Sequence, residues 1–298
     1  LIIGLTVVVV ANLVAWTACF LMFQTGYKLK AETMKTAPTR ALTNPMSGGW
    51  NWLGMWSLYT REVRRFSKIA AQTFLAPIIT ALLFLAIFNL AFEGDGRSAA
   101  EIPFLEFLVP GLTLMALMTS CFANASFAIM FEKIVRTIVD TLMPPLSPTE
   151  LTAGYVLSST TRGLLVGLAV GVAMTFFVPL HIHAWSFVIF HAVSAALFMS
   201  STGLITALWA EKVDHVASIN NFAVLPLTFL SGTFYSIQHV PGIFQKIILL
   251  NPVFYMIDGF RYGFFGYADG SLVTGIILMI VLNTVLLLFC RHLFAIGY

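Results

Sequence analysis

The chain has 298 residues, of which 59% are hydrophobic and 10% charged, with 27 Phe and a net charge of only +3. Soluble domains carry roughly 25% charged residues, so a water-soluble globular enzyme is excluded and an integral membrane protein is expected. So small a net charge suggests no nucleic-acid partner, and the information lies in where the charges sit.

Windows long enough to cross about 30 Å of hydrocarbon fall near residues 1–23, 69–92, 104–131, 151–178, 185–210, 216–235 and 271–294. The predicted fold is therefore all-α and polytopic. Between the first two windows lie Lys28, Lys30, Lys35, Arg40, Arg61, Arg64, Arg65 and Lys68 against only Glu32 and Glu62. The loop 93–103 instead holds Glu93, Asp95 and Glu101 against Arg97. By the bias of basic loops toward the cytoplasm, the first of these segments lies inside and the second outside. Alternation then puts 132–150 and 211–215 inside, and 181–183 and 236–270 outside.

The first window repeats the last. Laying 2–27 on 273–298 without a gap aligns Gly4 with Gly275, Asn12 with Asn283, Cys19 with Cys290 and Gly26-Tyr27 with Gly297-Tyr298. Residues 1–33 are therefore expected to be an extra transmembrane helix, the tail of a neighbouring homologous unit. Residues 34–68 form a linker and elbow, and 69–298 a six-span unit. No basic n-region of a signal peptide precedes the first window.

After a Thr-, Pro-, Ser- and Gly-rich linker at 37–49, Trp52, Trp56, Tyr59, Val63 and Phe66 repeat at three-four spacing, with Arg61, Arg65 and Lys68 on another face. A tryptophan-rich amphipathic helix lying flat in the headgroup layer is expected. In 131–148, Ile134, Ile138 and Leu142 share one helical face and Glu132, Arg136 and Asp140 another, with Pro144-Pro145 as the stop. That pattern fits a short helix projecting into the cytoplasm, either to insert in a partner's cleft or as a solvated connector.

Glu106 and Arg162 are read near span ends, where long side chains snorkel. Cys19, Cys121 and Cys290 sit in apolar windows without ligand spacing and read as packing residues. His181 and His183 lack the further ligands a closed metal site needs.

The stretch 225–266 is too apolar for a soluble loop, and Pro226, Pro241, Asn251-Pro252 and Gly259 break it too often for one clean span. Irregular backbone at membrane depth survives only where protein or a wet cavity satisfies its polar groups, so a re-entrant outer region is predicted. Asp258 and Arg261, three apart, are expected to pair on a helical face and fix its turn.

No G-x-x-x-x-G-K-[ST], H-E-x-x-H, C-x-x-C or G-x-S-x-G motif occurs. Nothing in the chain would cradle ATP or build a standard hydrolytic site. An ion-gradient transporter or channel would call for ionisable residues at span centres. A membrane-embedded enzyme would draw on His181, His183 and His191 as acid-base groups.

The tract LSGTFYS at 230–236, Pro241, and LNPVFYMIDGFRYG at 250–263 resemble the C-terminal signature of type-2 ABC-transporter permeases, the group of polysaccharide and drug exporters. FLVPGLTLMALM at 107–118 resembles that family's second span, and 132–148 matches the position of its cytoplasmic coupling helix. The likeness covers about 50–298 and departs from the family pattern in the helix before Met34 and in the lack of a basic tail after Tyr298. The resemblance implies a bacterial inner-membrane permease, working as a homodimer in contact with lipid. A separate ATPase subunit would bind ATP and magnesium, and the chain would hold no catalytic or metal residues of its own. Glu132, Lys133, Arg136, Asp140, Arg61 and Arg65 would couple to that subunit. Pro226, Gly232, Asn251, Pro252, Asp258 and Arg261 would shape the outer gate.

Overall fold

The prolines, asparagines and serines of this apolar chain become helix caps and bends. A computed structural model describes residues 50–92, 98–99, 102–138, 141, 146–237 and 240–296. The predicted extra helix at 1–33, the linker at 37–49, Asp140 and Pro144-Pro145 lie outside the described residues.

The elbow helix α1 (Trp52–Ser67) starts at Asn51, whose side-chain oxygen accepts from Gly54 N at 2.9 Å. It leads through a turn into α2 (Ala70–Phe92). An antiparallel ladder of β1 (Ser98–Ala99) and β2 (Ile102–Pro103) is the only sheet among the described residues. Then come α3 (Phe104–Val135), α4 (Pro148–Thr175) and α5 (Trp185–Trp209). Ser147 and Glu150 close a reciprocal capping box at the head of α4, with Pro148 at its first turn. Among the described residues five helices are long and apolar enough to cross a membrane, or six if one bent pair counts as a span.

The expected span at 216–235 is shorter than its apolar run. It is built from α6 (Val213–Ile219), a π turn (Asn220–Val224) and α7 (Leu225–Phe229). Leu225 N bonds back to Asn220 O across the π turn. Pro226 follows at once; it has no N–H to offer, and its ring would crowd the carbonyl four residues back. The wider turn absorbs that conflict. The helix stops at Leu230 because the chain swings through Gly232 at φ +76°, a backbone region glycine enters without penalty.

Asn251-Pro252 makes the predicted break. Between α8 (Gly242–Leu250) and α9 (Pro252–Phe265) the chain bends by 89°. Asn251 caps α9 by accepting from Val253 N at 3.0 Å and donates to Leu227 O at 2.7 Å, tying the bend to α7. The way in and the way out of this hairpin meet: Ser236 donates to Asp269 at 2.8 Å. The pair is thus a re-entrant hairpin rather than a crossing, and α10 (Leu272–Ile296) leaves from the same end.

The central helix is α3, whose apolar window is 67% buried, against 17% for α2 and for α10. Leu114, Leu117, Met118, Cys121 and Phe122 of α3 pack on Ala195, Ala196 and Met199 of α5 and on Val253, Met256, Ile257 and Phe260 of α9. A second cluster joins Leu58 of α1 to Ala125, Ala128 and Ile129 of α3, Tyr155 of α4 and Leu204 of α5. Lipid tails are as apolar as leucine, so contact between spans comes from close packing of small residues. Gly163, Gly167 and Gly171 form that stripe on α4, facing Cys121, Leu117 and Thr113.

A methyl at Gly163 would lie 1.9 Å from Cys121 Sγ and 3.0 Å from Leu117 O, whereas at Gly171 the nearest atom is 3.6 Å away. Gly163→Ala is expected to cost about 1–3 kcal/mol through overpacking. It should lower the thermal midpoint of the detergent-solubilised protein, with partial recovery on adding Cys121→Ala. Gly171→Ala should leave that midpoint unchanged.

Candidate functional site: an ionic layer under the elbow helix

Elbow helix and fourth helix run side by side from their first residues. Asn51 N donates to the Glu150 carboxylate, Leu58 lies where a Cβ on Gly154 would clash, and Tyr59 OH meets Thr161 Oγ1 at 3.1 Å. The contacts advance together, so α1 is bound lengthwise to the first half of α4. This corrects the expected division into an apolar face and an opposed basic face. Met55, Leu58, Glu62 and Phe66 are buried, Trp52 and Trp56 point outward, and Arg61 and Arg65 turn toward the bundle.

Carboxylates draw them in. Arg61 pairs with Glu132, which is 7% exposed and also accepts from Tyr155 OH at 2.9 Å. Arg61 further reaches Thr141 Oγ1 at 3.0 Å and Glu62 at 3.2 Å. Arg65 lies 2.9 Å from Glu62 Oε2, an ion pair by proximity in which that oxygen accepts no aligned hydrogen bond. Burial raises the Glu62 pKa, and Arg65 and then Arg61 pull it back. Deeper in, Asn124 donates to Ser159 Oγ at 3.1 Å, while its oxygen accepts from Arg162 at 3.0 Å and Arg65 at 3.3 Å.

The segment after α3 departs from the expected single helical face. Helix α3 runs on through Glu132 and Lys133 and ends at Arg136, which takes the left-handed conformation at φ 63°. Glu132 and Arg136 therefore do not share a face: Glu132 is turned inward and Arg136 is exposed. Lys133 also points into the protein. Its ammonium donates to Ala207 O, Leu208 O and Ala210 O at 2.8, 2.7 and 2.9 Å, capping the C-terminus of α5 where a cation is favoured. Together these bonds join the same-side ends of α1, α3, α4 and α5.

At the opposite end, Asp258 and Arg261 are buried at 3% and 1% exposure but do not pair with each other as expected. Asp258 accepts from Asp269 N at 2.8 Å and Gly270 N at 2.9 Å, holding the loop that leaves the hairpin. Arg261 donates to Gly232 O at 2.9 Å and lies over the Phe107 ring at 3.7 Å. Each fixes the turn through backbone, because backbone groups shut away from water need partners more than the two side chains need one another. His191 packs between α5 and α9, where a Cβ on Gly259 would fall 2.0 Å from its Nε2.

Several members of the layer were not read as site residues: Asn124, Tyr155, Ser159 and the Glu150 cap. A polar Asn124 within an apolar run and the Ser-x-x-Glu spacing of 147–150 were the available signals. Arg162 was placed near a span end and lies instead midway along α4.

Removing either partner from a charge-assisted bond of this kind is expected to cost about 1.5–3 kcal/mol. In a thermal-unfolding cycle, Arg61→Ala and Glu132→Ala should each lower stability, and the double variant should lose less than their sum. Strict additivity would show that the two do not interact.

Comparison with known proteins agrees with this architecture. The ABC-2 type transporter family profile matches residues 54–265. The chain is 35% identical over 242 residues to the inner membrane transport permease YadH of Escherichia coli K12, covering 81% of this chain and 94% of YadH. It is 27% identical over 222 residues to nodulation protein J of Sinorhizobium fredii, covering 71% of this chain and 80% of that protein. For nodulation protein J of Rhizobium meliloti the figures are 23% over 227 residues, 72% and 81%. The chain is thus a multi-pass membrane protein that belongs to the ABC-2 type transporter family, as a type-2 ABC permease.

Proposed function

We propose that this chain is the membrane-spanning subunit of an ATP-driven exporter in the bacterial inner membrane, moving a glycan, lipid or drug-like substrate. A separate ATPase subunit binds ATP and magnesium and supplies the force, and two permease copies form the pathway. Family membership and likeness to the E. coli inner membrane transport permease support the location and the class. The observation that carries the mechanism is the ionic layer. It ties the elbow and three spans into one block at the end assigned to the cytoplasm, so that a push on the segment around Arg136 and Ile138 moves all of them.

The helix at 213–229 supports a second copy. It buries only Val216, Val224 and Thr228 against its own chain and leaves Asn221 and Phe222 outward, with Phe222 84% exposed. A polar Asn220-Asn221 pair in a π turn suits a wet path between two copies better than lipid. In this reading the pinned turn around Gly232, Asn251, Pro252, Asp258 and Arg261, with Pro226 below it, is the outer gate.

One observation favours an ion-gradient transporter instead: Arg162 stands at mid-helix. Energy dependence separates the readings. The permease is co-purified with a partner ATPase and reconstituted in vesicles. Glu132→Ala with Arg136→Ala should insert normally and lower substrate-stimulated ATP hydrolysis. Unchanged stimulation would remove this segment from coupling, and transport without any ATPase would overturn the exporter reading.

A further inference from the structure

Two neighbouring residues in the last turn of α3 reach in different directions. Glu132 holds the elbow through Arg61, while Lys133 turns all three of its N–H donors onto Ala207 O, Leu208 O and Ala210 O. Ala207 and Leu208 lie in the last turn of α5, and Ala210 is its cap, where the backbone leaves the helix at ψ 132°. Among the described residues Lys133 forms no ion pair with a carboxylate. The ammonium and the carbonyls left over at the helix end satisfy one another.

An apolar contact reinforces the same place. Met130, one turn earlier on that face of α3, packs with Ala210 and with Val216 of α6. Glu211 and Lys212 alone separate the α5 cap from α6, and across them the rings of Trp209 and His215 lie 5.5 Å apart. The corner between α5 and α6 is therefore short and gripped by α3 from two residues. From this corner runs the helix at 213–229, assigned above to face the second copy. Beyond Val216 it buries only Val224 and Thr228, and Asn251 holds its Leu227 carbonyl. It is held at its two ends, by α3 on the elbow side and by the hairpin on the other.

We infer that Lys133 is a positioning residue of the transport step, passing the displacement of the α3 end to the elbow-side end of the helix at 213–229. The inference rests on the exporter reading, in which an ATPase moves the segment around Arg136. The last turn of α3 shifts either with the α5 carbonyls in tow or by stripping three charge-assisted bonds from one cation, and the second course is the costlier. Met130 keeps the corner pressed against α3, so the flexible lysine stem does not simply stretch. An arginine would keep the charge, but its planar fork does not bring three donors onto three converging carbonyls.

The test uses the assembled complex of permease and ATPase, with spin labels in separate preparations at Ser57 of α1 and at Phe222, which is 84% exposed. Pulsed electron resonance reads the distance between equivalent labels across the two copies, with and without trapped nucleotide. In the wild type both distances should change. Lys133→Met should keep the change at Ser57 and lose most of the change at Phe222, and Lys133→Arg should recover part of it. Lys212→Met, which removes an exposed cation from the same corner, should behave as the wild type. Should Lys133→Met fail to fold, Met130→Ala carries the test with a smaller loss confined to Phe222.

A change at Phe222 that survives Lys133→Met in full would overturn the inference. So would loss of both changes together, which marks a general structural role, or a wild type in which Ser57 moves and Phe222 does not. A wild type in which trapped nucleotide moves neither label would instead sink the exporter reading, and this inference with it.

Discussion

Polar groups held away from water must find partners within the protein, and the pairing of Arg61 with Glu132 is where this chain depends on that rule most. The carboxylate sits at the end of the most buried helix and is shared with Tyr155 from the next span. Through it the elbow is attached to two spans at once. It adds to the contacts that already lay α1 along α4, Leu58 against Gly154 and Tyr59 against Thr161. Net gain from such pairs is modest; losing one partner leaves the other charge stranded, and that asymmetry holds the arrangement.

The two ends of the bundle solve the same problem differently. At the elbow end, side chain meets side chain, and Lys133 adds a cation at the frayed carbonyls of α5. At the hairpin end, Asp258, Arg261 and Asn251 reach backbone groups that the sharp turns leave without helix partners. Side-chain pairs hold the elbow end together as one block, while at the hairpin end each turn is held through its own backbone.

Much of this was legible in the sequence, for physical reasons. Hydrocarbon thickness fixes the span length, so the long helices follow from apolar windows. Pro252 fixes its own φ and restricts Asn251 before it, whereas Gly232 is free to enter the left-handed region, so the breaks at 251 and 232 follow from residue type. The partners of charged residues were not legible. Spacing of three between Asp258 and Arg261 suggested a pair, yet each found backbone contributed by a turn elsewhere in the sequence. The face shared by Glu132, Arg136 and Asp140 presumed a continuous helix, which the left-handed residue at Arg136 ends. Arg162 already lies eleven residues inside the apolar window 151–178, so its depth was legible from hydropathy and only its partner, Asn124, was not.

The central claim of the proposed mechanism is that elbow and α4 move as one body when a partner ATPase acts. Spin labels at the exposed Ser57 of α1 and at Thr149 at the head of α4, placed in the assembled complex, test it by pulsed electron resonance with and without trapped nucleotide. The account predicts that the distance between Ser57 and Thr149 within one copy stays fixed while the distance between the two Ser57 labels across copies changes. A change in the distance within one copy would contradict it.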